Sequence, residues 1–143
     1  MERFEGQCLC GAVRFAITPP TLFCAHCHCR FCRAAHGAGF VTWAGAHEDR
    51  FELLAGEDLL HWYQSSPQSR RGFCSVCGSS MFYTSTLSPG EVHVARALIP
   101  GEIDRAPQAH VFYDHRQPWI DCPDEVPKID SSSQILEKYQ AVE

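Results

Sequence analysis

The stretch from Cys24 to Cys32 holds four cysteines and two histidines in nine residues, a density that points to metal chemistry. Its densest part is a C-H-C-x-x-C run, in which His28 separates Cys27 from Cys29 and Cys32 follows. Thiolates are soft ligands that suit zinc. Three sulfurs carried by one tight turn fill three tetrahedral positions and leave the fourth for a distant ligand, a water or a substrate. An open position is typical of catalytic zinc, whereas structural sites are closed by four protein ligands.

Four further cysteines form one C-x-C pair and one C-x-x-C pair, Cys8 with Cys10 and Cys74 with Cys77. Each pair stands directly beside a glycine, which lets the backbone turn toward the sulfurs. Four thiolates complete a tetrahedron, so this set predicts a structural zinc that ties the N-terminal turn to a distant hairpin and contributes to folding. The odd total of nine cysteines, clustered at these short spacings, favours metal binding over a disulfide framework.

Two cysteines stand outside these sets. Cys24 precedes Cys27 by the C-x-x-C spacing, so it could close the second site as a fourth ligand or form a redox couple with Cys27. Cys24 also ends a strand-like run beside Phe23, where a buried cysteine behaves as a small hydrophobic residue, and we favour burial over ligation. Cys122 lies in a proline-rich loop with no cysteine nearby, and we expect it to be a lone thiol.

The composition indicates one globular domain. The chain has 143 residues, of which 45% are hydrophobic and 20% are charged, so it can form a core. Its net charge of −5 argues against a nucleic-acid binder, because phosphate contacts need a basic face. We find neither the apolar segment of a signal peptide nor a run that could cross a membrane. We therefore expect a cytoplasmic protein without nucleic-acid or membrane partners.

Short strands must position these ligands. Alternating hydrophobic residues predict strands joined by turns that contain glycine and proline. The predicted strands are 12–17, 21–24, 38–43, 50–54, 59–64, 81–83, 91–98 and 109–113. We expect strands 50–54 and 59–64 to pair around a turn, a short helical turn to follow the second cysteine cluster, and a short helix to span Ser133–Ala141. The sequence thus predicts a mainly β fold of short antiparallel strands, with a zinc-binding domain over residues 4–127 and a tail over residues 128–143.

The order of the cysteine motifs resembles that of the glutathione-dependent formaldehyde-activating enzyme family. The family's G-x-C-x-C-G, C-H-C-x-x-C-R and F-C-x-x-C-G motifs are matched by Gly6, Cys8, Cys10 and Gly11, by Cys27, His28, Cys29, Cys32 and Arg33, and by Phe73, Cys74, Cys77 and Gly78. Three later segments look like its C-terminal pattern: Gly101–Asp104, His110–Phe112 and Pro118–Trp119.

The resemblance implies a small zinc-bound β fold similar to the Mss4-like fold. Carried onto this chain, the family's ligands are Cys8, Cys10, Cys74 and Cys77 for a structural zinc and Cys27, Cys29 and Cys32 for a catalytic zinc. The implied activity is that of a carbon–sulfur lyase of the S-(hydroxymethyl)glutathione synthase type, which joins glutathione to formaldehyde. The alternative, implied by the similar centromere protein V-like domains, is a non-catalytic zinc-binding module for protein interaction. An open coordination position would favour the enzyme, and a closed one the module.

Histidines and arginines near the cysteine run could assist such chemistry. Each of His26, His28 and His36 could carry a proton near neutral pH, although a supporting or solvent-facing imidazole is favoured for each one alone. We place His28 in the candidate catalytic set with the three cysteines, because it lies between two ligands. Four arginines could pair with substrate carboxylates, but we favour solvated surface charge for each: Arg30, Arg33, Arg70 and Arg71.

Overall fold

The computed structural model describes residues 2–140, which form eleven strands, one α-helix and five short 3₁₀ helices. The strands are β1 (Phe4–Gln7), β2 (Arg14–Ile17), β3 (Phe23–Cys27), β4 (Val41–His47), β5 (Phe51–Ala55), β6 (Leu60–Gln64), β7 (Ser69–Cys74), β8 (Ser80–Ser85), β9 (Glu91–Ala95), β10 (Ala109–Val111) and β11 (Lys128–Ile129). The α-helix, α1, spans Arg30–His36. The 3₁₀ helices span Glu48–Arg50, Glu57–Leu59, Arg96–Leu98, Tyr113–His115 and Gln134–Tyr139.

The strands form two sheets. Strands β1, β2 and β5 make a small antiparallel sheet with β2 at its centre. The other eight make a large sheet in the order β11-β10-β3-β4-β9-β8-β7-β6. Its pairs are antiparallel except at one edge, where β10 runs parallel to both β3 and β11. The prediction of a mainly β fold of short strands is confirmed, and the parallel edge departs from the antiparallel pairing that was predicted.

The main core lies between the small sheet and one face of the large sheet. Phe15 and Ile17 of β2 are fully buried, as is Val13 just before it, so the alternation predicted for this segment faces the core. The Phe15 ring packs edge-on against Phe82 of β8, with ring centroids 5.3 Å apart. These contacts join the two sheets.

Alternate residues of the central strands face two different environments. In β4, Ala44 and Ala46 belong to the core between the sheets, whereas Val41 and Trp43 belong to a second buried cluster on the opposite face. The second cluster also contains two cysteines of the C-H-C-x-x-C run. One sheet therefore supports a conventional core on one side and the densest cysteine motif on the other.

Strands β5 and β6 do not pair with each other, so the predicted hairpin at this point is wrong. Strand β5 pairs with β2 in the small sheet, and β6 pairs with β7 in the large sheet. Between them Gly56, with φ at +85°, begins a 3₁₀ turn that carries the chain from one sheet to the other. The turn itself was correctly marked by glycine and acidic residues, but this local signal does not say which strands the turn separates.

The C-terminal segment packs against the second face of the large sheet. After β11, Ser133 caps a 3₁₀ helix by accepting a hydrogen bond from the backbone N–H of Ile135. The side chain of Leu136 is buried in the second cluster. The helix predicted over 133–141 is thus a 3₁₀ helix over 134–139, and Ala141 lies outside the described residues. All helices within residues 2–140 are too short or too polar to cross a bilayer.

We expect Gly56→Ala to destabilise the fold more than Gly101→Ala. Both glycines have positive φ, so each alanine incurs the penalty of the left-handed conformation, about 1–2 kcal/mol. A Cβ on Gly56 would also lie 2.3 Å from the carbonyl oxygen of Ala12, whereas a Cβ on Gly101 would meet nothing within 4 Å. Thermal unfolding of both variants measures the difference, and equal losses of melting temperature would contradict the backbone contact.

Candidate metal centres and the adjoining cavity

The structure brings together the four cysteines of the first predicted set. Cys8 and Cys10 lie in the loop between β1 and β2, Cys74 ends β7, and Cys77 lies in the turn before β8. Their sulfurs all lie within 4.8 Å of one another. The Cys8–Cys10 and Cys10–Cys74 sulfur distances are 3.7 and 3.8 Å. A tetrahedral ion bound by sulfur at about 2.3 Å spaces its ligands about 3.8 Å apart, so this four-cysteine cluster could hold a zinc ion.

Hydrogen bonds favour the thiolate form at two sulfurs of the four-cysteine cluster, those of Cys8 and Cys77. The backbone N–H of Val13 donates to the Cys8 sulfur over 3.3 Å. The Ser79 hydroxyl lies 3.2 Å from the Cys77 sulfur, and this contact, with nearby backbone N–H groups, lowers the pKa of the Cys77 thiol to about 5. Because metal ligands must be deprotonated, these contacts prepare the cluster to bind a cation.

The three cysteines of the second predicted set also meet, within 4.8 Å, where β3 gives way to α1. Cys27 ends the strand, Cys29 caps the helix, and Cys32 lies in its first turn. The Cys29 sulfur accepts a hydrogen bond from the backbone N–H of Cys32 over 3.4 Å. The helical segment was predicted to follow this cluster; it begins inside it, because Cys29 acts as the N-cap.

The environment of the three-cysteine cluster concentrates negative charge on one sulfur. The indole N–H of Trp43 and a guanidinium N–H of Arg71 donate to the Cys32 sulfur, over 3.4 and 3.7 Å. Hydrogen bonds from the Cys27 and Cys29 thiols, together with these two donors, hold the pKa of Cys32 well below its usual range. Hydrogen bonds with Cys29 and Cys32 raise the pKa of the Cys27 thiol well above its ordinary value.

Cys24 lies apart from this cluster. Residues three apart in a strand face opposite sides, so Cys24 enters the core between the sheets while Cys27 faces the second cluster. Their C-x-x-C spacing therefore brings together neither a ligand pair nor a redox pair, and the expectation of burial holds, since Cys24 is fully buried. Within residues 2–140, no fourth histidine, cysteine or carboxylate joins the three sulfurs within 4.8 Å.

A cavity of about 630 Å³ borders the three-cysteine cluster. All three cysteines line it, and most of its remaining wall is apolar, including Trp43, Phe112 and Leu136. This volume lies in the range of small-molecule sites. The cluster thus has three protein ligands and faces a space that a substrate could occupy.

One cross-strand row forms a wall of the cavity. Arg71 of β7 stands opposite Tyr83 of β8, Tyr83 opposite His93 of β9, and His93 opposite Gly45 of β4. The guanidinium carbon of Arg71 lies 4.9 Å from the centroid of the Tyr83 ring, and that ring stacks on His93 at 5.3 Å. A Cβ on Gly45 would lie 2.2 Å from the Phe23 ring, so glycine makes room for Phe23 to pack on His93.

Beside this row, an ion-pair network attaches the C-terminal segment to β9 at the cavity wall. One oxygen of Glu91 lies 2.9 Å from His93 Nε2 and accepts the Tyr139 hydroxyl over 3.1 Å. The other accepts from Lys138 Nζ over 2.9 Å. Burial opposes ionisation of Glu91, but the hydrogen bonds from His93 and Lys138 prevail and lower its pKa to about 2. Glu91 is therefore a charged anchor for the 3₁₀ helix 134–139.

His28 does not line the cavity, although we placed it in the catalytic set. Its ring is fully buried, and Nε2 lies 2.9 Å from Nδ1 of His110. His110 Nε2 lies 3.0 Å from a carboxylate oxygen of Asp124, so hydrogen bonds connect Asp124, His110 and His28 in series. Because the carboxylate accepts from His110 Nε2, His28 Nε2 donates to His110 Nδ1, and His28 Nδ1 has no hydrogen-bond partner.

Cys122 is a free thiol, as expected, but it lies close to two buried histidines. Its sulfur and nitrogen atoms of His28 and His110 lie within 4.8 Å of one another, which makes a third group of metal-ligand type. Sequence reasoning missed it because its members come from the segment after β3, from β10 and from the loop before β11, and no local spacing connects them. The only signal was the His110–Phe112 segment, which matched the family pattern without indicating a partner.

The other candidate residues are dispersed. His26 Nδ1 lies 2.7 Å from the Thr42 hydroxyl, and the His36 ring packs on the edge of Trp43. Arg33 donates to the backbone oxygen of His28 over 3.1 Å, Arg70 stacks on Trp62, and Arg30 stacks on Phe31 at the cavity wall. Surface charge was expected for all four arginines, and this is wrong for Arg71, which is only 9% exposed.

We expect Glu91→Gln to lower the melting temperature at neutral pH and to lose this effect in acid. The carboxylate gains its stabilising contacts from His93, Lys138 and Tyr139 only when ionised. A folded-state pKa of about 2, below the ordinary 4.5, means that this stability is present above pH 4.5 and disappears as the pH falls toward 2. The check is the melting-temperature difference between wild type and Glu91→Gln from pH 7 to pH 2.5. The exposed Glu57→Gln is the control, and a difference independent of pH would contradict the ion-pair network.

Comparison with known proteins places these sites in a family context. The chain is 28% identical over 125 residues to a Halomonas elongata protein whose name provisionally calls it a glutathione-dependent formaldehyde-activating enzyme; the match covers 82% of this chain and 79% of that one. It is 27% identical over 126 residues to an uncharacterized lyase of Schizosaccharomyces pombe, covering 87% and 86% of the two chains.

The fold also matches a solved structure. A crystal structure of a Rhodobacter sphaeroides protein superposes with a TM-score of 0.58 at 28% identity, covering 70% of this chain and 91% of that one. Residues 3–115 match the family model described as glutathione-dependent formaldehyde-activating enzyme, and this segment contains both cysteine clusters and most of the cavity-lining strands. The chain therefore belongs to the glutathione-dependent formaldehyde-activating enzyme family.

Proposed function

We propose that this protein is a zinc-dependent carbon–sulfur lyase that adds the thiol of glutathione to formaldehyde to give S-(hydroxymethyl)glutathione. Family membership and the names of the two relatives support a lyase-type enzyme. The observation that carries the finer proposal is the three-cysteine cluster, which has no fourth protein ligand within residues 2–140 and lines a cavity of about 630 Å³. A site closed by a fourth ligand would instead have favoured a non-catalytic module.

The donor sets suit zinc at both clusters. Cys8, Cys10, Cys74 and Cys77 would hold a structural ion, and the match between their sulfur spacing and a tetrahedral zinc site supports this assignment. Cys27, Cys29 and Cys32 would hold the catalytic ion. Zinc bound by these three thiolates would supply Lewis acidity that lowers the pKa of a substrate thiol or polarises an aldehyde oxygen.

The surrounding residues prepare the three cysteines and enclose the reactants. Trp43 and Arg71 stabilise the Cys32 thiolate through their N–H groups, which orients the cluster before a substrate arrives. The apolar wall lowers the water content near the reacting sulfur and carbonyl carbon. In the reaction a carbon–sulfur bond forms, the carbonyl π bond becomes a C–O single bond, and the thiol proton ends on that oxygen, so no oxidant or reductant is needed.

His28 keeps a supporting part in this proposal. Because its ring lies outside the cavity lining and contacts His110, we assign it to holding the loop that carries Cys27 and Cys29. Its place in the catalytic set stays a prediction.

We expect the zinc-loaded protein to accelerate exchange between free glutathione with formaldehyde and their adduct, and Cys29→Ser to abolish the acceleration. Loss of one of three thiolates removes the coordination geometry that the reaction requires. Exchange NMR measures the rate with no protein, with wild type and with the variant. Cys24→Ala is the matched control, because Cys24 is a buried cysteine of the adjoining strand on the opposite face of the sheet. If fully zinc-loaded wild type gives no acceleration, the substrate assignment is wrong.

We expect disruption of the four-cysteine cluster to lower the melting temperature more than disruption of the three-cysteine cluster. Cys77→Ser should lower the melting temperature by about 10 °C or more, because the four-cysteine cluster ties the β1–β2 loop to the β7–β8 turn. Cys29→Ser should lower it less, because the three-cysteine cluster lies within one continuous segment of chain. Thermal unfolding and zinc analysis of both variants test this, and a larger loss of stability in Cys29→Ser would overturn the division into a structural and a catalytic site.

A further inference from the structure

The cavity beside the three-cysteine cluster contains a buried cation with unused hydrogen-bond donors. Arg71 is 9% exposed, and it lines the cavity together with the three cysteines. Its Nη2 donates to the Cys32 sulfur over 3.7 Å, and its plane lies near the Tyr83 ring. Its Nε and Nη1 are buried and have no hydrogen-bond partner. Buried donors are nearly always satisfied, so two unsatisfied N–H groups on a side chain that lines the cavity indicate a ligand that accepts from them.

Protein carboxylates do not fill this role. Arg71 takes part in none of the ion pairs within residues 2–140. The acidic residue among the described cavity-lining residues is Glu91, and both of its oxygens are engaged by His93, Tyr139 and Lys138. The described lining also contains Arg30 and Lys138, so its three cationic side chains outnumber its two anionic groups, Glu91 and the Cys32 thiolate. The cavity is therefore electrostatically suited to an anion.

We propose that Arg71 binds a carboxylate of the thiol substrate and thereby selects thiol acids over neutral or cationic thiols. This inference rests on the proposed function only in taking the ligand to be a thiol directed at the cysteine cluster. The guanidinium lies close enough to Cys32 to contact it, so a carboxylate on Nε or Nη1 and a sulfur at the cluster can belong to one short molecule. A guanidinium is the side chain best matched to a carboxylate, because its N–H groups lie in the plane of the acceptor oxygens.

Cross-strand packing fixes the position of this guanidinium. The Arg71 side chain lies over Tyr83, whose hydroxyl is held by Ser69 at 2.9 Å, and Tyr83 stacks in turn on His93. A pre-positioned cation loses little freedom when it binds, so its donors contribute mainly to selectivity. The adjacent Arg70 is exposed on the other side of β7 and stacks on Trp62, which makes it a matched control.

The test compares two thiols of equal chain length, 3-mercaptopropionate and 3-mercapto-1-propanol, by isothermal titration calorimetry on the zinc-loaded protein. We expect wild type to bind the thiol acid at least about tenfold more tightly than the thiol alcohol, which is the effect of a charge-assisted hydrogen bond. Arg71→Gln also loses the contact with Cys32, so it should weaken both thiols somewhat, but it should weaken the thiol acid at least about tenfold more than the thiol alcohol, and Arg70→Gln should retain the wild-type preference. A merely structural role for Arg71 would weaken both thiols equally in Arg71→Gln, and that result would overturn the proposal.

A second measurement needs no variant and so does not depend on how Arg71→Gln folds. Acetate should compete with 3-mercaptopropionate for the wild-type protein and should not displace 3-mercapto-1-propanol. Equal affinity of wild type for the two thiols, or absence of acetate competition, would refute the carboxylate site. A thiol-acid preference without acceleration of the glutathione–formaldehyde reaction would instead refute the proposed function and leave the Arg71 site standing.

Discussion

The two-residue periodicity of the large sheet is the constraint on which the rest of this structure depends. Because successive side chains of a strand point to opposite faces, each central strand must serve two environments at once. In β8, Phe82 enters the core between the sheets and Tyr83 faces the cavity; in β9, Val94 and His93 divide in the same way. The hydrophobic core and the cavity wall are consequently built from the same strands, so one wall of the cavity is a face of the packed sheet.

The two cysteine clusters differ in the segments of chain that they connect. The four-cysteine cluster joins segments that are 64 residues apart in the chain at Cys10 and Cys74, and closing that loop stabilises the arrangement of both sheets. The three-cysteine cluster needs only the junction of one strand and one short helix, so its geometry is local and its remaining side is free to face the cavity. The proposed function therefore assigns stabilisation and chemistry to separate sulfur sets.

The cavity combines a part shared with the family and a part that lies beyond the family match. The cysteines, Trp43, Arg71 and the cross-strand row all fall within residues 3–115, whereas Leu136, Lys138 and Tyr139 lie beyond them. Glu91 links the two parts, since it belongs to β9 and anchors the 3₁₀ helix 134–139, which lines the cavity.

The sequence by itself determined the membership of the two cysteine clusters, four residues in one and three in the other. Short spacings such as C-x-C and C-x-x-C are readable because they place sulfurs within reach of one ion whatever the rest of the fold does. Alternation of apolar residues likewise marked most strands, since this signal comes from residues two apart. The same reasoning predicted burial of Cys24 from its strand-like neighbours, and the opposite facing of Cys24 and Cys27 explains why that outcome prevailed.

Only the tertiary structure decided what depends on contacts between distant segments. The local signal around Gly56 marked a turn but could not show that it connects two sheets. The burial of Arg71 follows from its register with Tyr83 and from the residues that line the cavity with it. Nothing in the local sequence, where Arg71 follows another arginine, indicates that its side chain is buried. Cys122 meets His28 and His110 because β10 inserts parallel to β3, a pairing between segments more than 80 residues apart. Such pairings depend on the packing of the whole sheet, which cannot be predicted from any short stretch of sequence.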